Sequence, residues 1–302
     1  MGKGSREILM KASPHILFWQ KGMQGLASPL NRSFYEGSGI SPSGSEDGGG
    51  WVRAGQSGRD EAVIRVCGNC STAFDVALWL EERGLFSDWD SVLAESQSAG
   101  VGQYGRHWIS PLGNLHLVWK LPGFFSEVKG LPLMLGAALT EVLRQKGVPL
   151  LLKWPNDLIL EERKVGGMLI RSRPDCVLAG MGINLVSAPS DREIRKNSTI
   201  AATSLNEKGF FFHPLDLWVD IMGDVRVFLS KSIEKISDYG LMTGSTHWLW
   251  RKGQAVMVFS SGGLTEGLSF PAVLIGPAGD GGLRLLSEKG EIIFYSGSIG
   301  PA

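Results

Sequence analysis

Residues 151–186 read LLKWPNDLILEERKVGGMLIRSRPDCVLAGMGINLV, and this stretch decides the fold class. Three apolar segments, LLKWPNDLIL (151–160), KVGGMLIRS (164–172) and CVLAGMGINLV (176–186), are parted by turn chemistry, which predicts successive strands. Upstream, AVIRVC (62–67) and SVLAESQ (91–97) read as strands, and LHLVWKLP (115–122) as an alternating one. Between them STAFDVALWLEERG (71–84) predicts a helix. Ser71 is its expected N-cap, Phe74, Ala77, Leu78 and Leu80 form its apolar stripe, and Gly84 closes it. LPLMLGAALTEVLRQKG (131–147) is an amphipathic helix with a basic end and a terminal Gly147, and 213–240 reads as one or two helices. Short strands packed with a few helices predict an α+β domain with a mixed β-sheet.

From about Thr246 the texture becomes all β, with Gly-rich turns between alternating runs, which suits a small barrel. At the other end, 36–58 is dense in Gly and Ser and cannot bury enough apolar surface to offset chain entropy. The expected organisation is therefore a flexible Gly/Ser-rich extension over 1–60, a globular α+β domain over 61–245 and a small C-terminal domain over 246–302. In the extension, ILFWQKGMQGLASPL either docks on the body or forms a short helix.

The chain has 302 residues, 43% of them hydrophobic, enough for a sizeable core. Thirty Lys and Arg balance thirty Asp and Glu, so net charge is zero, which argues against a dedicated nucleic-acid coat. No apolar run reaches the roughly 18 residues that cross a bilayer, and no secretory cleavage pattern follows the N-terminus. Three cysteines make a poor disulfide framework. Together these predict a cytoplasmic protein without a membrane partner.

Four segments carry candidate chemistry. In the loop Ala99-Gly100-Val101-Gly102-Gln103-Tyr104-Gly105-Arg106, glycines let backbone N–H groups approach an anion and Arg106 adds a charge. It lacks the Gly-Lys-Ser/Thr of a Walker A loop, and by spacing alone a plain surface turn is the favoured reading. Lys153-Trp154-Pro155-Asn156-Asp157 and Lys164-Val165-Gly166-Gly167 place two lysines around a carboxamide and a carboxylate. Lysines can neutralise phosphate while Asp157 holds magnesium; a plain turn with solvated lysines is the alternative. Gly180-Met181-Gly182-Ile183-Asn184 allows close approach of a ligand or of another backbone. Cys67-Gly68-Asn69-Cys70 has no second metal-ligand pair beside it and reads as packing.

In order and spacing these segments resemble the biotin–protein ligase family. Residues 97–115 are similar to its glycine loop and W-x-S-P-x-G-N-L; 153–157 match K-W-P-N-D; 163–169 match R-K-(V/L)-x-G-(I/M)-L; 180–184 match G-x-G-I-N; and Ala202-Thr203-Ser204-Leu205 match A-T-S-L. The resemblance implies a class II synthetase-like biotin ligase–lipoate ligase fold with a C-terminal SH3-like barrel. It also implies biotin and ATP as substrates with Mg2+, and a two-step reaction: biotinyl-5′-AMP and pyrophosphate form, then biotin passes to a lysine of a biotin carboxyl carrier domain of a carboxylase.

On that resemblance Lys164, Lys153 and Arg106 are catalytic. Ser71, Thr72, Gln97, Gly100, Val101, Gly102, Lys164, Gly166, Gly180 and Gly182 face biotin. Gln103, Tyr104, Arg106, Trp108, Lys153, Asn156 and Asn184 face ATP and the adenylate, and Asp157 is the magnesium ligand. Three family arginines are replaced by Val101, Gln103 and Tyr104, and Ala73 stands where the family's S-T-N element has asparagine. This leaves weaker adenylate retention, another carboxylic acid substrate or an inactive homologue open. Several relatives repress transcription through an N-terminal winged helix, but the Gly/Ser-rich start here predicts no DNA binding. A lipoate or octanoate transferase is the last-ranked alternative, because its R-R-x-S-G-G-G loop is absent. The oligomeric state is open, a homodimer included.

Overall fold

The computed structural model describes residues 14–19, 26–31, 34, 42–46, 51–54, 62–173, 176–190, 193, 200–236, 246–261 and 267–302. Its elements in chain order begin with β1 (His15–Trp19), β2 (Pro42–Glu46), β3 (Trp51–Ala54), β4 (Val63–Cys70), α1 (Ala73–Glu81), β5 (Ser91–Gln97), β6 (Leu115–Leu121) and α2 (Leu131–Gln145). There follow β7 (Leu151–Lys153), β8 (Asp157–Leu160), β9 (Arg163–Arg173), β10 (Cys176–Ile183) and α3 (Pro214–Ile236). The chain ends with β11 (Ala255–Ser260), β12 (Ser269–Pro277), β13 (Leu283–Ser287), β14 (Gly290–Phe294) and β15 (Gly297–Pro301). They form two compact units: Met1–Ser126, Met168–Ala188 and Ser204–Gly223 make the first, and Glu127–Gly167, Pro189–Thr203 and Asp224–Ala302 the second. The chain passes from one unit to the other within β9 and within α3.

The first unit is built on a mixed sheet with strand order β2-β3-β1-β4-β5-β6-β10-β9. β1 runs parallel to β4 and β4 parallel to β5, whereas β5–β6 and β6–β10 are antiparallel. The sequence suggests alternation along β6, but every residue of it is buried. The reason is cover on both faces: Val118 joins the core that α1 buries through Phe74, Val76, Ala77 and Leu80, and Trp119 on the other face meets Trp218 of α3 at 5.1 Å. The indole of Trp218 donates to Ser91 Oγ at 2.9 Å, and that of Trp119 to the Trp89 carbonyl at 3.0 Å, so both buried donors are satisfied.

Within 1–60 the described residues include ordered strands. β1 is a buried strand against β4, and Leu17, Phe18 and Trp19 pair with Arg53, Val52 and Trp51 of β3. Four large apolar residues in ILFW bury enough surface to anchor the strand, and the ladder then recruits the glycine-rich chain beside it. Most of 36–58 otherwise lies outside the described residues. α1 also differs in its start. Its N-cap is Thr72, whose hydroxyl accepts from Asp75 N at 3.0 Å, while Ser71 Oγ donates to the Asp75 carboxylate at 2.6 Å.

The second unit contains β7, β8, the first five residues of β9, α2 and a five-stranded antiparallel sheet of order β14-β13-β12-β11-β15. This sheet is open in order, with β14 and β15 at its edges, so a closed barrel over 246–302 is not what the pairing displays. Leu152 N donates to the Trp248 carbonyl at 2.7 Å and Trp250 N to the Leu152 carbonyl at 2.9 Å, so the segment leading into this sheet is hydrogen-bonded to β7.

Candidate active site

In the second unit, β7 and β8 form a hairpin whose corner is Trp154-Pro155-Asn156, with a cis bond between Trp154 and Pro155. Lys153 pairs with Asp157 across it, so both side chains stand on one face. β8 then turns through Glu161-Glu162 into β9. The β8–β9 register slips there: Ile159 opposes Lys164, whereas Leu158 opposes Gly166, leaving Val165 as the extra residue of a bulge. Side chains alternate with period two, so an unbulged β9 would put Lys164 and Gly167 on opposite faces. With the bulge, both share the face of Asp157. The space left by Gly167 receives the Lys164 side chain: a Cβ there would lie 3.6 Å from Lys164 Cε and Nζ.

The result is a three-charge cluster. Lys164 Nζ lies 2.5 Å from Asp157 Oδ1 and Lys153 Nζ 3.1 Å from Asp157 Oδ2, with Lys153 6% and Lys164 32% exposed. Burial pushes the Asp157 carboxyl up. The ammonium groups of Lys164 and then Lys153 outweigh that and hold it well below the usual carboxylate range. At neutral pH the cluster carries one net positive charge on one strand face, which suits an anionic substrate. Both Asp157 oxygens are taken by lysines, so the expected magnesium ligand is instead their counter-ion. Among the described residues no group of three or more His, Cys, Asp or Glu side chains could hold a metal ion.

The first unit holds the other candidates. Gln97, at the end of β5, ties three segments together. Its Oε1 accepts from Ala73 N at 2.7 Å and its Nε2 donates to Ser110 Oγ at 2.8 Å, and Ser110 Oγ in turn donates to the Trp108 carbonyl at 3.1 Å. Ser71, Thr72, Gln97 and Trp108 are thereby brought into one hydrogen-bonded neighbourhood. The glycine loop is a small hairpin: Val101 bridges His107, Gly102 N donates to the Arg106 carbonyl at 2.7 Å, and Trp108 N to the Gly100 carbonyl at 2.8 Å. Tyr104, left-handed at φ 57°, is exposed at its tip, with the Arg106 guanidinium 5.5 Å over its ring. The hairpin tip thus presents the Tyr104 ring and, just after the turn, the Arg106 cation to solvent.

A Biotin/lipoate A/B protein ligase family model matches residues 83–185. The biotin–[acetyl-CoA-carboxylase] ligase of Paracoccus denitrificans is 30% identical over 222 residues, covering 67% of this chain and 89% of that protein. The chain belongs to the biotin–protein ligase family. The bifunctional ligase/repressor BirA of Escherichia coli is 38% identical over 178 residues, 56% of this chain and 53% of that protein, so the chain spans about half of that relative's length. Among solved structures, the biotin protein ligase of Aquifex aeolicus in complex with biotin and ATP superposes with a TM-score of 0.64 at 27% identity, over 79% of this chain and 97% of that one.

In this family member several glycines serve packing rather than an open approach. A Cβ on Gly180 would run into the Phe74 ring, and one on Gly182 would meet Trp108 Nε1 at 2.5 Å. These glycines make room for aromatic side chains. Gly100 is hemmed by the Trp108 carbonyl and Ser110 Oγ. Gly166 pairs with Leu158 on the face away from the lysines, so Gly167 is the glycine that serves Lys164. Lys153 and Asn156 are buried at the hairpin corner, and Asn184 is buried at the end of β10, its carbonyl accepting from Leu205 N at 2.9 Å.

Asn114 had no assigned role from sequence. Its Oδ1 accepts from the backbone N of Leu185, Val186 and Ser187 at 3.0, 2.9 and 3.2 Å, and its Nδ2 donates to the Ser187 carbonyl at 2.8 Å, fixing the chain after G-x-G-I-N. The available signal was its place in S-P-x-G-N-L. A cavity of about 480 Å³ bordered by Leu151, Thr246, His247 and Arg251 includes none of the predicted site residues, and its His247 and Arg251 are paired with Glu141 and Glu162.

Proposed function

We propose that this chain is an ATP-dependent biotin–protein ligase, converting biotin and ATP to biotinyl-5′-AMP and pyrophosphate and then transferring biotin to a carrier-domain lysine. The observation that carries the reading is the Lys153–Asp157–Lys164 cluster, two ammonium groups ordered by one half-buried carboxylate on the K-W-P-N-D and R-K-V-G-G strands. Adenylate formation brings a carboxylate oxygen onto an α-phosphorus while pyrophosphate departs, so negative charge converges at the reacting centre. Fixed cations answer that demand in proportion to how little they must reorganise. Asp157 supplies the ordering: it holds both ammonium groups in place before substrate arrives.

In this reading Lys164 serves the biotin carboxylate and α-phosphate, and Lys153 and Asn156 serve the nucleotide. Trp108, laid over Gly182, packs on adenine. Ser71, Thr72 and Gln97 serve biotin's ureido ring, Gln97 mainly by tying the start of α1 to Ser110. Magnesium enters as the counter-ion of ATP. In the second step the carrier amine attacks the acyl carbon, the acyl–phosphate bond breaks, and AMP leaves with its electron pair. The five antiparallel strands over 246–302, with β15 returning to β11, support reading this sheet as the family's SH3-like module. The partner is a biotin carboxyl carrier domain.

With Gln103 and Tyr104 where relatives carry arginine, the adenylate is held less firmly, since one charge-assisted hydrogen bond contributes about 1.5–3 kcal/mol. Biotin-dependent exchange of pyrophosphate into ATP tests the activity. The reading expects exchange that needs biotin and is lost in Lys164→Ala. Biotin binding without exchange would leave a binding module instead, and preference for lipoate in calorimetry would leave a lipoate-type transferase.

A further inference from the structure

The two-residue turn before Lys164 is built against backbone preference. Glu161 and Glu162 both adopt left-handed φ, 47° and 61°. A tight hairpin loop needs such angles, but glycine or asparagine normally supplies them, and a left-handed glutamate is strained. Such strain persists only when the surroundings over-determine it. Here they do. The Glu162 carboxylate accepts from the Trp250 indole N–H at 3.0 Å and from Arg251 Nη2 at 2.7 Å. Trp250 is fully buried, and Arg251, itself left-handed at φ 58°, lies with its guanidinium 4.8 Å over that indole. The same corner is anchored to the lysine hairpin through the Trp250–Leu152 backbone bond on β7. The clasp therefore grips the hairpin at β7 and at the β8–β9 turn, and Lys164 follows that turn by two residues, at the edge of the bulge that swings it toward Asp157.

The geometry points to Glu162 as a positioning residue of the proposed ligase reaction: clasped by Trp250 and Arg251, it holds the turn and bulge that bring Lys164 to its working position. Glu162 touches neither substrate nor reacting atoms in this role, and the inference rests on the function proposed above. An ion pair this exposed adds little to stability, with Glu162 at 57% and Arg251 at 25% exposure. The clasp should therefore register in turnover more than in folding.

The test compares full-length wild type, Glu162→Gly and Glu162→Gln. Glycine relieves the left-handed strain and removes the clasp. Glutamine keeps an acceptor for the Trp250 indole. In pyrophosphate exchange, Glu162→Gly is expected to lower kcat about tenfold, the scale of a modest misplacement of a catalytic group. Its biotin KM should stay within about twofold and its Tm within a few degrees of wild type, because the left-handed strain relieved by glycine offsets the acceptor lost to the Trp250 indole. Glu162→Gln should recover most of kcat. The NMR signal of Lys164 Nζ without substrate should move in Glu162→Gly and return toward wild type in Glu162→Gln. Wild-type kcat in Glu162→Gly, a loss of kcat that merely follows a loss of Tm, or an unmoved Lys164 signal would each overturn the inference. If wild type shows no exchange at all, the proposed function fails separately, and the Lys164 signal still decides whether Glu162 positions that side chain.

Discussion

Asp157→Asn removes the charge that two lysines share while keeping the side chain's size. In the native cluster Asp157 is 18% exposed, with ammonium groups at 2.5 and 3.1 Å. Deleting one partner of a buried ion pair leaves uncompensated charge, which costs about 3–5 kcal/mol. Lys153 bears most of that, because it is nearly buried, whereas Lys164 is one-third exposed and can turn to water. The lower end, about 3 kcal/mol, is therefore expected. The carboxyl is held below its ordinary value of 3.8 in the fold. Its contribution is thus fully present above about pH 4, and is lost as pH falls through the lower folded value. Urea unfolding of wild type and variant at pH 5, 6, 7 and 8 should give a constant gap of about 3 kcal/mol, narrowing only below about pH 4. A gap under about 0.5 kcal/mol at pH 7, or one that closes between pH 8 and 5, would refute the reasoning.

Further perturbations probe the other parts of the site. Lys164→Ala should abolish pyrophosphate exchange with unchanged circular dichroism, and wild-type exchange rates would remove it from the mechanism. Gly182→Ala puts a methyl where the Trp108 indole lies, so the ATP KM should rise several-fold with the biotin KM nearly constant; equal effects on both would contradict the packing argument. His116 is buried with its Nε2 on the Pro111 carbonyl, and burial pushes it down to about 4 from 6.5. The unfolded chain takes up the proton first, so stability is full above about pH 6.5 and falls toward pH 4 by up to about 3 kcal/mol. His116→Gln should flatten that slope in pH-dependent denaturation, and an unchanged slope would assign it elsewhere. Adenylate release from purified enzyme should be roughly tenfold to a hundredfold faster than from an arginine-containing relative, and equal retention would restore a full role to Gln103 and Tyr104.

What could be read from sequence follows from the range of the interactions involved. β4 and α2 are legible because a β-branched run and an apolar stripe are local signals. The lysine pair is legible as chemistry, but its geometry is not. The bulge at Val165 depends on register with β8, and without it Lys164 would be assigned to the wrong face. Alternating glycines in 180–182 announce a close approach, yet period and spacing cannot say whether a ligand or an aromatic ring approaches. Only tertiary packing reveals Phe74 and Trp108 there. β1 was diluted by its Gly/Ser-rich neighbours, and its strand character emerges only through pairing with β3 and β4. A carboxylate beside lysines fits a metal ligand or a counter-ion, and only the distances show Asp157 paired with both lysines.

The central claim is that this chain activates biotin and passes it to a carrier lysine. Incubating the purified protein with biotin, Mg-ATP and a biotin carboxyl carrier domain, then weighing the intact carrier by mass spectrometry, tests it directly. The account predicts one added biotinyl group on the carrier, dependent on ATP and absent with Lys164→Ala. A carrier of unchanged mass, alongside a control ligase that labels it, would contradict the account.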